Sequence, residues 1–291
     1  MKKALTFIVA CAALALSGCS GGPKHAPSIP RDADIEAKIE KTLSGMSLDE
    51  KIGQMLQINL DVIGSWGPEG WSLNEAAADS IIRTYKVGSF LNAPGRALTK
   101  EQWNVIIPKL NGLSIKHIGI PTLYGLDQNH GVTYDQGGTL FPQPINVAAS
   151  FNTAIVRQMA EITAYESRAA DCPWVFNPVL DLGRDPRWPR IWESFGESPI
   201  VNVKMVQEEI AGYQGPDPNH IGKYGVATSV KHYMAYGAPF TGKDRTPAYL
   251  SEQQLREKYF APFKAAAEAG ALTFMVNSAS INGVPVHASH R

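Results

Sequence analysis

Residues 226–237 read VATSVKHYMAYG, and the order of chemistry along them decides the fold class. The run Val226 to Val230 has the length and composition of a buried strand. It ends on two polar side chains, Lys231 and His232, and a turn signal follows at Gly237. A stretch with helical character, about Ile200 to Tyr213, comes just before it. The same grammar recurs along the chain. Short apolar runs bounded by Gly, Pro or Asn lie at Val87 to Leu91, Pro121 to Leu126, Trp174 to Leu180 and Leu272 to Val276, with a weaker one near Met55 to Leu60.

Helices are expected between these runs. Ser or Thr followed three residues later by Glu or Gln marks a capped helix start, because the hydroxyl takes one orphan amide and the carboxyl or amide group reaches back to another. Ser47 with Glu50, Ser72 with Glu75, Thr99 with Gln102 and Ser251 with Gln254 fit. A further helix is expected to bury Ile155, Met159 and Ile162 on one face. Strands alternating with helices make a parallel sheet covered by helices. The expected fold is therefore α/β, an incomplete (β/α)8 TIM-type barrel with about six of the eight units. No internal repeat is evident. Polar residues follow the strands at their carboxyl ends: Asn92, Asp127, Lys231, His232 and Asn277. Barrels assemble their active sites there, and a doubly wound sheet would also place ligands there.

The fourth run leads into DLGRDPRWPRIWESFGE at 181–197. Pro186 and Pro189 lack the amide hydrogens that a helix interior needs, so this is a fixed loop. It carries Arg184, Arg187 and Arg190 among Trp188, Trp192, Glu193 and Glu197. Guanidinium offers a rigid donor fork and indole a flat apolar surface, a combination suited either to holding a ligand or to locking the loop through Arg–Glu pairs.

Residues 1–19, MKKALTFIVACAALALSGC, have a basic start, an apolar run from Ala4 to Leu16 and small residues after it. They read as a secretory signal, too short to span a membrane as a helix. The ending Leu16-Ser17-Gly18-Cys19 resembles the lipobox of bacterial lipoproteins, which implies a lipid on Cys19 and a membrane anchor in the cell envelope, facing the periplasm or the exterior. Residues 20–32 read as a flexible tether, leaving 33–291 as the folded domain. Of three cysteines, Cys11 would leave with the signal and Cys19 would be lipidated, so Cys172 stands alone without a disulfide partner. Lys plus Arg and Asp plus Glu balance at 27 each, which gives no broad field to recruit nucleic acid.

Several motifs lead nowhere. Gly237 to Lys243 has the spacing of a phosphate-binding loop, but Asp244 stands where a magnesium-binding hydroxyl is needed and Pro239 removes a cradling amide. The histidines show no HExxH spacing and no neighbouring Cys pair, and no Gly-x-Ser-x-Gly elbow occurs. Neither a metal nor a cofactor is expected.

Four strand-end motifs taken together carry a resemblance: GLDQNHG at 125–131, GRDPRWPRIWESFGES at 183–198, SVKHYMAYG at 229–237 and GKDRTP at 242–247. In this order they resemble the amino-terminal barrel of family 3 glycoside hydrolases, in particular the bacterial β-glucosidase branch, from about Ile35 to the last residue. The resemblance implies that Asp127 binds sugar hydroxyls and that Arg190, Lys231 and His232 line the same subsite, with Arg245 as a further sugar-binding residue. It also implies that Arg190 points at the sugar while Arg184 and Arg187 pair with Asp181, Asp185 or Glu193. A glucose unit suits such a set, since it presents vicinal hydroxyls to bidentate groups and an apolar ring face to Trp. The chain departs from the family pattern at Asn277-Ser278-Ala279, where an aromatic residue is usual. It also lacks the His-x-x-x-x-Asp-Ser-His loop of the N-acetylglucosaminidase branch.

By the same resemblance, the parent enzyme removes terminal non-reducing β-D-glucosyl residues from β-glucosides or oligosaccharides by a retaining mechanism. That mechanism needs a carboxylate nucleophile and a carboxyl acid/base. The resemblance places both beyond Arg291, so the chain is expected to be a truncated domain with no catalytic residue of its own and to be inactive alone. The alternative is a non-catalytic, sugar-binding surface lipoprotein.

Overall fold

The computed structural model describes residues 30–217 and 220–290; the expected signal, Cys19 and residues 20–29 of the expected tether lie outside the described residues. The described chain enters at Asp32, whose carboxylate accepts from the amides of Asp34 and Ile35 and caps helix α1 (Ala33–Gly45). Ser47 and Glu50 form the expected capping box at the start of α2 (Leu48–Gln54). Six strands follow: β1 (Gln57–Asn59), β2 (Ser89–Leu91), β3 (Leu123–Leu126), β4 (Trp174–Val175), β5 (Ala227–Tyr233) and β6 (Thr273–Val276). They pair in parallel, each with the next in sequence, and curl into an open barrel of six strands, as the sequence leads one to expect.

Helices cover the outside: α3 (Glu75–Tyr85), α4 (Lys100–Ile118), α5 (Pro144–Ala149), α6 (Thr153–Ala169), α7 (Pro199–Gln214) and α8 (Phe260–Glu268). Apolar residues of β2, β3, α3 and α4, among them Ile82, Phe90, Trp103, Leu110 and Tyr124, make one core. Val206 and Ile210 of α7 close on Val230 and Phe263 to make a second. At about 25 cal/mol per Å² of apolar surface, this burial is what holds the helices to the sheet.

Three local expectations need correcting. Ser72 does not cap a helix; it lies in a two-stranded ribbon, Gly64–Gly67 with Gly70–Leu73, and Asn74 caps α3 by accepting from the Ala77 amide. In α6 the large residues Ile155 and Ile162 face solvent, while Val156, Ala160 and Ala164 are buried. The reason is close approach to α7: a Cβ placed on Gly212 would stand 2.6 Å from the Cβ of Ala160, so only small side chains fit between the two helices. The fourth apolar run forms ladder only at Trp174–Val175. Pro178 lacks an amide hydrogen, and the chain rejoins β5 through a single bridge, Val179 to Lys231.

The strand that opens the sequence reading carries an irregularity. Met275 of β6 lies opposite Lys231 and Val276 opposite Tyr233, so His232 is an extra residue in β5. Such a bulge bends the strand and re-aims its side chains, which is how adjacent residues come to serve one end of the barrel.

Candidate active site

Asp127 is the first residue after β3, and Lys231 lies near the carboxyl end of β5. Their side chains form an ion pair, with Lys231 only 1% exposed and the carboxylate of Asp127 partly open to solvent. A buried ammonium needs such a partner, and here the partner keeps one edge free for a ligand. Thr133 donates to the Asp127 carbonyl at 2.9 Å and holds the turn.

His232 is held from the other side. The fully buried carboxylate of Asp181 accepts from His232 Nδ1 at 2.6 Å, from the His232 amide at 3.3 Å and from the Gly237 amide at 3.2 Å. Nδ1 is thereby engaged, and Nε2 is the nitrogen left to the site. Gly237 is needed for this closure, since a Cβ there would stand 2.9 Å from the Leu182 carbonyl oxygen and 3.1 Å from Asp181 Cβ.

Arg190 joins through Tyr236. Its Nε and Nη2 donate to the two oxygens of Glu193 at 2.7 and 2.5 Å, and its Nη1 donates to the Tyr236 hydroxyl at 3.2 Å. Burial works against the guanidinium's charge, but the Glu193 bonds and charge outweigh it and raise its hold on its proton. Glu193 also accepts from Asn129 at 3.3 Å. Tyr236 packs on His232 with ring centroids 4.5 Å apart, so one phenol links Arg190 to His232. Asp244 reaches the same hydroxyl and accepts from Trp188 Nε1 at 3.2 Å. Arg245 is 72% exposed; it stands 3.7 Å from Asp244 and also reaches Tyr236.

Loop pairing differs in part from expectation. Arg187 pairs with Asp185, but Asp181 serves His232, Glu193 serves Arg190, and Arg184 reaches Tyr259. Of the two tryptophans, Trp188 is buried and Trp192 is 42% exposed. Sequence reasoning missed Tyr236 as the hub. The available signal was its position four residues after His232, immediately before a glycine. Asp181 was visible only as a loop acid, although it ends an apolar run just as Asp127 does. Burial pushes the Cys172 thiol up to about 12, which leaves it unreactive. Among the described residues no cluster of three or more His, Cys, Asp or Glu is placed to hold a metal, and no helix is long and apolar enough to cross a membrane.

Asp127, Lys231, His232 and Arg190 thus come from three different strand ends and gather carboxylate, ammonium, imidazole and guanidinium groups at one end of the barrel, with Asp127 and Arg190 partly open to solvent and the Lys231 ammonium enclosed behind Asp127. Such a set donates to and accepts from hydroxyl groups.

The chain resembles known proteins over most of its length. The glycosyl hydrolase family 3 N terminal domain matches residues 47–291. A lysosomal beta glucosidase of Dictyostelium discoideum is 38% identical over 268 residues, covering 87% of this chain and 32% of that protein. The structure of exo-1,3/1,4-beta-glucanase from a Pseudoalteromonas species superposes with a TM-score of 0.80 at 27% identity, over 89% of this chain and 32% of that one. A beta-glucosidase from Listeria innocua, solved with isofagomine, gives a TM-score of 0.71 at 32% identity, over 86% of this chain and 33% of its own. The chain spans about a third of the length of the curated relatives it matches.

Proposed function

The chain belongs to glycosyl hydrolase family 3, matching its N-terminal domain, and from that premise we propose that it is the sugar-holding part of a β-glucosidase. The parent enzyme releases terminal non-reducing β-D-glucosyl residues from β-glucosides or oligosaccharides with retention of configuration. The observation that carries this reading is the Asp127–Lys231 pair, a buried cation steering a half-open carboxylate at the strand ends. Asp127 accepts hydrogens from a pair of sugar hydroxyls, Lys231 and Arg190 donate to hydroxyl oxygens, and His232 offers Nε2. Relatives whose names specify glucosidase or glucanase activity support the substrate class.

Cleavage needs carboxyl groups free to attack and to protonate. Asp127, Asp181, Glu193 and Asp244 are each engaged by Lys231, His232, Arg190 and Trp188 respectively. These engagements support the reading that the nucleophile and acid/base of the parent enzyme come from elsewhere in its sequence and that the 291-residue chain alone binds without hydrolysing. Binding groups that hold ground and transition states equally leave the chemical barrier in place. The leader at 1–19 supports a lipid anchor on Cys19 in the cell envelope, which mass analysis of the mature amino terminus decides.

Titrating D-glucose into the chain by NMR tests the binding site. Saturable binding is expected, weakened roughly 30- to 150-fold by Asp127→Ala, since a buried partner left unpaired costs about 2 to 3 kcal/mol. Turnover of an aryl β-glucoside by the purified chain, lost in Lys231→Ala, would overturn the division of labour. Binding without turnover in the complete enzyme would instead favour a non-catalytic sugar-binding protein.

A further inference from the structure

Glu209 lies in the third turn of α7 with its side chain enclosed, and its Oε2 meets no hydrogen-bond partner among the described residues. One helical turn on, its carboxyl lies against the Tyr213 hydroxyl. That hydroxyl has its own obligations. Asn177 Nδ2 donates to it at 2.8 Å, and it donates to the Gln128 carbonyl at 3.3 Å. The Asn177 amide also donates to that carbonyl at 2.7 Å, so its nitrogen end must face this way. A phenol has one hydrogen, and the carbonyl of Gln128 can only accept. With the hydrogen spent there, Tyr213 has only a lone pair for Glu209.

The Gln128 carbonyl is one residue beyond Asp127. Gln128 is buried, and its side-chain oxygen accepts from Ser167, so the backbone behind Asp127 is fixed through both its main chain and its side chain. We infer that Glu209 is a positioning residue held as the neutral carboxylic acid, donating to Tyr213 so that the phenol's hydrogen stays on Gln128 and the Asp127 turn keeps its sugar-binding geometry. This rests on the reading of Asp127 as a sugar-binding residue. An ionised Glu209 draws the phenol's hydrogen to itself, and the Gln128 carbonyl then loses a donor. The site accordingly weakens toward alkaline pH.

The groups around Glu209 fit this assignment. Burial pushes its carboxyl up to about 8, against the opposing pulls of Tyr213 on its own helix and Lys231 from β5. His130, in the loop after β3, shares a small cavity with it and is engaged through Nδ1 with the Phe141 carbonyl at 2.9 Å. The faces of α5 and α6 on that cavity bring Pro144, Val147, Val156, Met159, Ala160 and Thr163, none of them titratable.

Two measurements on the full 291-residue chain and its Glu209→Gln variant test the inference. Gln is a near-isostere whose amide donates to Tyr213 at every pH, so it mimics the neutral acid. Infrared difference spectra of wild type against variant at pH 6 should show the carbonyl stretch of a protonated carboxyl, vanishing as pH rises through about 8. D-glucose affinity, measured by NMR, should fall about fivefold in wild type between pH 6 and pH 9 and stay level in Glu209→Gln, the effect of one neutral hydrogen bond. Absence of the carboxyl band overturns the protonation. A band together with equal pH dependence of both proteins overturns the positioning role. A band with no glucose binding by either protein at either pH refutes the sugar-site reading, and the regulation falls with it.

Discussion

Replacing Asp181 with alanine removes an acceptor shared by three buried donors: the His232 imidazole, the His232 amide and the Gly237 amide. The two amide bonds, at 3.3 and 3.2 Å, contribute roughly 1 kcal/mol each. The 2.6 Å bond to Nδ1 involves a carboxylate and contributes roughly 2 kcal/mol. Together they predict a loss of about 4 kcal/mol, in the range found when one partner of a buried pair is deleted. Asp181→Asn keeps one acceptor but turns an amide N–H toward a donor, so about 2 kcal/mol is expected. Urea unfolding followed by tryptophan fluorescence measures both as a lowered midpoint at unchanged slope. In a double-mutant cycle, Asp181→Ala with His232→Ala should cost less than the sum of the singles by about 1.5 kcal/mol or more. A loss below about 1 kcal/mol for Asp181→Ala, or additivity in the cycle, would refute the view that Asp181 fixes His232.

Two further outcomes follow from neighbouring features. Gly237→Ala forces a Cβ to within 2.9 Å of the Leu182 carbonyl oxygen and should lower the unfolding free energy by roughly 1 to 3 kcal/mol, read from the same urea curves; an unchanged midpoint contradicts the close approach. Burial, with the nearby Glu166 charge, raises the Asp135 carboxyl to about 7, so the folded protein holds this proton more tightly than the unfolded chain does. Stability from this group is therefore full at low pH and lost as pH rises from about 4 to about 7, and Asp135→Asn should unfold at higher denaturant than wild type at pH 8 but not at pH 4. A gap between the two proteins that does not change with pH counts against that burial.

Parallel strands covered on both faces leave a strong trace in sequence, because they must be apolar throughout and stop at turn residues. Val87 to Leu91 and Leu272 to Val276 were legible for that reason, and so were the polar residues set just beyond them. Thr99 with Gln102 and Ser251 with Gln254 were legible because capping is local chemistry. What failed depended on distant partners. Ile155 and Ile162 look like core residues by hydropathy, yet the approach of Gly212 to Ala160 turns them outward. Arg190 and Glu193 stand three residues apart in a loop, and only the fold shows that they engage each other while Tyr236 bridges to His232. Glu209 carries no local signal of burial, since a Glu within a helix is most often solvent-facing; its burial comes from packing against β5 and the loop after β3.

Because the six strands bond in the order in which they are made, each β/α unit leaving the ribosome finds its neighbour already present. No strand waits for a later one to be inserted between itself and its partner, so the sheet can grow by addition at one edge during synthesis. The Asp127–Lys231 pair spans 104 residues, which at about 5 to 20 residues per second means that Asp127 emerges roughly 5 to 20 s before Lys231. The carboxylate, which can stay hydrated at the edge of the growing sheet, is the earlier partner. The ammonium, which the finished fold encloses, never has to enter the interior before its counter-charge exists.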